Sequence, residues 1–148
     1  MAYKGFFRPK NPSKYKGDPT KIVYRSRWEL IVMNRFDEDK NVIFWGSEET
    51  VIPYRSPIDN RIHRYFVDFI ARIRGENGKE KTILVEVKPK AQTKPPEVPK
   101  GKKKSNKYIR EVMTWGVNEA KWAAAQEYCK DRGFEWVIIT ENELGLKF

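Results

Sequence analysis

Apolar residues along this chain change their spacing several times, and each change predicts an element. Trp28, Ile31, Val32 and Phe36 recur at helical spacing, and Ser26 followed by Glu29 fits a capping box, so a helix is expected from Ser26 to about Asp37. Val42 to Trp45 and Thr50 to Tyr54 are short β-rich stretches, while Arg61 to Ile73 and Lys81 to Lys88 alternate or run apolar as strands do. Asn118 is the expected N-cap of a second helix through Trp122, Ala125 and Cys129 to a stop at Gly133, and Phe134 to Thr140 reads as a buried strand. Before the first helix, residues 1–24 hold Gly5, Pro9, Pro12, Gly17 and Pro19 among lysines and aromatics, a punctuation that predicts a basic arm without regular elements. Residues 89–107, rich in proline and lysine, predict a flexible basic loop. The order is that of one α/β domain over 25–148, a mixed sheet flanked by helices.

Length agrees with that count, because 148 residues with 39% hydrophobic content bury one core of ordinary size. Charge adds a partner. Thirty Lys and Arg against twenty Asp and Glu leave a formal charge of +10, which favours a polyanion and makes nucleic acid the first candidate. No apolar run approaches the ~20 residues of a membrane span, and no amphipathic basic helix dominates, so no membrane is expected. The first residues lack the apolar core of a secretion signal, and residence in the cytoplasm is the default expectation. Cys129 and His63 are each single, which leaves oxygen ligands for any metal and points to Mg²⁺, or Mn²⁺, rather than zinc.

The chemistry lies in IHRYFVDFIARIRGENGKEKTILVEVKPK, where two apolar strands each carry an acid. A three-residue loop Glu76, Asn77, Gly78 with Gly78 left-handed pairs Gly75 with Lys79 and sets Asp68 directly opposite Glu86. A two-residue Asn-Gly turn instead slides the register by one and sets Asp68 against Val87. In the first register two like carboxylates face each other, an arrangement that a divalent cation relieves. Lys88, two residues beyond Glu86 on the same face, can then orient a water or steady a charged phosphate. Spacing alone leaves a second reading open, in which the pair lies on a surface and Lys88 makes an ordinary salt bridge.

The segments YRSRWE, RYFVDF, VEVKPK, NEAKWAAAQEYCKDRGFEW and TENEL resemble the TnsA-type branch of the PD-(D/E)xK nucleases. Over nearly the whole chain, including FRPKNPSKYKGDPTKIVYRS and TWGVNEAKW, the sequence is similar to the head-completion nucleases of T-even-type phages. The resemblance implies a restriction-endonuclease-like core and a Mg²⁺-dependent DNA endonuclease. Its metal ligands would be Asp68 and Glu86, and its catalytic lysine Lys88. It further implies action on DNA ends or branched ends after packaging, in the infected bacterium's cytoplasm or on the virion, beside head or portal proteins. Val67 stands where the motif's name has proline.

Glu29 matches the acidic residue that TnsA-like nucleases draw from their first helix, yet a capping box explains it equally well. Lys121 could place a cation near the phosphate, although a helix lysine beside a core tryptophan is usually a solvated face. Lys102, Lys103, Lys104 and Lys107 are expected either to contact DNA phosphates without reading sequence or simply to solubilise their loop. His63, offset by one residue from the acidic candidates, reads as exposed. Phe6, Phe7, Tyr15 and Tyr24 either stack on unpaired bases or dock on the core. The rival functions are a virion structural protein on a decayed nuclease scaffold, a passive DNA-binding module, and a transposase cleavage subunit.

Overall fold

The computed structural model describes residues 4–101 and 105–145. Its elements run β1 (Gly5–Phe7), β2 (Ile22–Tyr24), α1 (Arg27–Glu38), β3 (Val42–Ser47), β4 (Val51–Arg55), β5 (Ile62–Phe66), β6 (Phe69–Arg74), β7 (Glu80–Val87), α2 (Asn106–Arg132), β8 (Glu135–Ile139) and α3 (Glu141–Leu144). A four-stranded sheet in the order β3-β6-β7-β8 forms the centre, antiparallel except for β8, which runs parallel to β7 after the α2 crossover. The α/β class and mixed sheet are those expected.

Alternation along β6 and β7 explains the two layers. Phe69, Ala71, Ile83 and Val85 pack with Val32, Met33 and Phe36 of α1. Ile70 and Leu84 point the other way, to Trp122, Ala125 and Cys129 of α2. Strands covered on both faces read as continuous apolar runs, so a carboxylate inside one requires a reason.

Four expectations need correction. Residues 1–24 are not free of regular structure: β1 pairs with β2, and Pro12–Lys14 form a 3-10 turn. Aromatic docking overrides the prolines and glycines. Phe7 and Tyr15 meet fully buried Trp45 edge-on at 5.7 and 4.8 Å, and the Tyr15 hydroxyl accepts from Ser47 N–H at 3.0 Å. The buried Asp37 carboxylate takes the N–H groups of Lys10 and Asn11 at 2.8 and 3.1 Å. Second, α2 begins thirteen residues earlier than expected, capped by Ser105, whose side chain accepts from Tyr108 N–H. Asn118 is therefore a buried mid-helix residue, while the helical run through Trp122, Ala125 and Cys129 and the stop at Gly133, with φ 69°, are as read. Third, β8 lies at the sheet edge and is half-buried rather than buried.

The fourth correction positions the site. Arg61 to Ile73 is not one strand but two, broken at Val67 and Asp68: β5 pairs with β4 in a separate ribbon, and β6 joins the sheet. Between the pairs Ser47–Phe69 and Val51–Phe66, three residues (Glu48, Glu49, Thr50) oppose two (Val67, Asp68). This is a β-bulge, with Glu48 at φ 55° donating its N–H to the Asp68 carbonyl at 3.1 Å.

Candidate active site

The β6-β7 hairpin sets the geometry. Gly78 adopts φ 76°, its N–H reaches the Gly75 carbonyl at 2.9 Å, and Gly75 N–H reaches the Lys79 carbonyl at 2.8 Å. This is the three-residue loop, and it fixes Phe69 against Val85, which brings Asp68 opposite Glu86. One oxygen of each carboxylate is tethered. Asp68 Oδ2 accepts Val87 N–H at 2.7 Å, and Glu86 Oε1 accepts the Tyr65 hydroxyl.

Electrostatics follow from that crowding. Burial, then the charge of Glu86, holds the Asp68 carboxyl well above the ordinary carboxylate range, with the Val87 N–H pulling the other way and Glu29 adding to the rise. Glu86 is only 5% exposed. Lys88 Nζ stands 3.9 Å from Glu86 Oε2, so the expected lysine shares the site. The surface-pair reading fails because Glu86 and the Tyr65 that binds it are both buried.

Glu29 serves two roles at once. Ser26 Oγ caps α1 by accepting Glu29 N–H at 3.1 Å, while the Glu29 carboxylate accepts the N–H of Arg25, not Ser26, at 3.2 Å. Burial first, then the charges of Glu48 and Glu86, raises its carboxyl above the usual value, which places it within the field of the pair. Among the described residues, however, no three His, Cys, Asp or Glu side chains form one metal-holding group. The Glu29 carboxylate is held by the Arg25 amide and feels the charge of Glu86. Asp68 and Glu86 by themselves fit a hard divalent cation: oxygen donors, buried, and repelling one another unless a proton or a cation lies between them.

Lys121 lies on α2 with its Nζ 5.6 Å from the Tyr65 ring centre and 5.9 Å from that of Tyr54. It joins the cluster through Tyr65. Lys107 is exposed in the first turn of α2, 3.9 Å from Glu111, away from the carboxylates in sequence and pairing. Lys102, Lys103 and Lys104 lie outside the described residues. His63 pairs with Asp59 at 2.7 Å and takes no part in the cluster.

Tyr65 is the residue that sequence reasoning missed. In one straight strand Tyr65 and Asp68, three apart, point to opposite faces. The bulge turns the chain between them and brings the hydroxyl to Glu86. No local signal in RYFVDF marks that bend.

Residues 39–141 match the family model described as TnsA-like endonuclease N terminal. The head completion nuclease of Enterobacteria phage T4 is 42% identical over 146 residues, covering 97% of this chain and 95% of that protein. The family match spans Tyr65, Asp68, Glu86, Lys88 and Lys121, and the longer similarity runs over all but a few residues of the chain. By sequence match and by the domain it spans, the chain belongs to the TnsA-like endonuclease family.

Proposed function

We propose that this protein is a metal-dependent DNA endonuclease of phage head completion that hydrolyses phosphodiesters at DNA ends or branches. The observation that carries the reading is the buried Asp68–Glu86 pair, aligned by the hairpin register with Lys88 at 3.9 Å. Asp68 and Glu86 would hold Mg²⁺ or Mn²⁺, with Glu29 adding negative field. Such an ion acidifies water and neutralises charge on a phosphate.

The protein's own groups do the rest. Tyr65 and the Val87 N–H hold one oxygen of each carboxylate, so both acids are oriented before substrate arrives. Lys88, 3.9 Å from Glu86, would orient the attacking water or steady the charge on the phosphate. The net +10 charge attracts the DNA backbone, and Lys102, Lys103, Lys104, Lys107 and Lys121 are the proposed phosphate contacts. The role in head completion, action in the infected cell and contact with head or portal proteins rest on the similarity to the phage T4 head completion nuclease. The test is incubation with supercoiled plasmid in Mg²⁺, Mn²⁺ or EDTA: nicking in either metal and none in EDTA is expected, and binding without cutting in every condition contradicts it.

A further inference from the structure

The structure departs from expectation at Asn118. The side chain is 9% exposed in the middle of α2, and it makes no hydrogen bond to any described residue. Asparagine is a poor helix-interior residue, and its amide, which takes no partner from the protein, is not among the fully buried unpartnered atoms, so it is open to whatever enters beside it.

Asn118 forms part of the wall of an open cleft of about 410 Å³ between the segment 91–96 and the first half of α2. That size is within the range of ligand pockets. Trp115 lines the same cleft, steadied edge-on against Trp122 at 5.9 Å. Lys94 and Arg110 supply cations there, and Glu111, the one acid of the lining, stands 3.9 Å from Lys107. Both walls of the cleft continue in sequence from residues of the cluster. Ala91 follows Lys88 by three residues, and Asn118 precedes Lys121, the lysine over Tyr65, by less than one helical turn.

We infer that this cleft takes one unpaired nucleotide of the DNA substrate: the base stacks on Trp115 and hydrogen-bonds to the Asn118 carboxamide, and Lys94 and Arg110 receive the phosphate. A carboxamide offers a donor and an acceptor side by side, as the edge of a base does, and an indole stacks on any base. Guanidinium and ammonium groups beside an aromatic surface suit a nucleotide better than an apolar ligand. The inference draws its ligand class from the DNA-nuclease reading and extends it. The wall segment 91–96 follows Lys88 closely in sequence, and a cleft that holds an unpaired nucleotide makes the enzyme select frayed ends, overhangs and branch points over intact duplex.

The test is DNA binding in EDTA, so that cleavage does not enter, measured by fluorescence anisotropy with a blunt duplex and the same duplex carrying a single-stranded overhang. Wild type binds the overhang DNA more tightly than the blunt one. Asn118→Ala and Trp115→Leu each weaken overhang binding roughly tenfold, the size of one lost base contact, and leave blunt binding unchanged. Asn118→Ala melts at or above the wild-type temperature, because no internal bond is lost. Equal affinity of wild type for both DNAs overturns the inference, as does an Asn118→Ala protein that melts lower yet binds the overhang as wild type does. A wild type that discriminates between the DNAs but never cuts contradicts the nuclease reading and leaves the inference standing.

Discussion

The hydroxyl of Tyr65, a residue of the β4-β5 ribbon, donates its hydrogen bond to Glu86 Oε1 in the central sheet, so one side chain joins two separate sheets at the acidic cluster. Burial, and next the charge of Glu86, pushes the Tyr65 hydroxyl well above its ordinary range, which keeps it a donor at every working pH. Tyr65→Phe retains the ring and frees the Glu86 oxygen. The expected result is roughly tenfold or more weaker Mn²⁺ binding, from loss of a hydrogen bond to a charged group, read by calorimetry without DNA. Unchanged Mn²⁺ affinity would reduce Tyr65 to a packing residue.

Lys88 separates binding from turnover. Its ammonium is 3.9 Å from Glu86 Oε2 and is not itself a ligand. Lys88→Met is expected to keep or improve Mn²⁺ affinity, because a competing cation is removed, and to lower the cleavage rate about 10²- to 10³-fold. Single-turnover kinetics on nicked and supercoiled plasmid check it.

The raised carboxyls of Asp68 and Glu29 carry a sign for stability. Each group binds its proton more tightly folded than unfolded, so without metal the stability is greatest at or below the ordinary carboxylate value. It falls as pH climbs from there to the raised value, by about 1.4 kcal/mol per pH unit for each proton by which the two states differ. Melting temperature followed against pH should show this fall in EDTA. Asp68→Asn, or millimolar Mg²⁺, should flatten it, and a slope unchanged by either contradicts the assignment.

Gly78 occupies the left-handed region at φ 76° with open space where a Cβ would stand. Gly78→Ala therefore meets backbone strain alone, about 1–2 kcal/mol, measurable by urea denaturation. Deleting Glu76 is a harsher change. It forces the two-residue turn, slides β6 by one position against β7 and is expected to abolish cutting while leaving a folded chain.

Much of this site was legible in the residues. Glu76, Asn77 and Gly78 determine the loop, the loop determines the register, and the register brings Asp68 to Glu86, all local steps with a period of two. The α1 boundary was legible for the same reason, through Ser26. What stayed hidden depends on contacts distant in sequence. Trp45 gathers Phe7 and Tyr15 and so orders residues that read as an arm, and the extra residue among Glu48, Glu49 and Thr50 turns Asp68 away from β5. Asn118 misled because it is a favoured cap, whereas Ser105 takes that position a full thirteen residues earlier.

Cleavage by the Asp68–Glu86 pair is the central claim. The direct measurement compares wild type with Glu86→Ala on supercoiled plasmid in Mg²⁺ and in EDTA, following nicking and linearisation over time. Nicking by wild type in Mg²⁺ alone, lost in Glu86→Ala while the variant stays folded by circular dichroism, is the predicted result. Equal nicking by both proteins, or nicking that persists in EDTA, contradicts it.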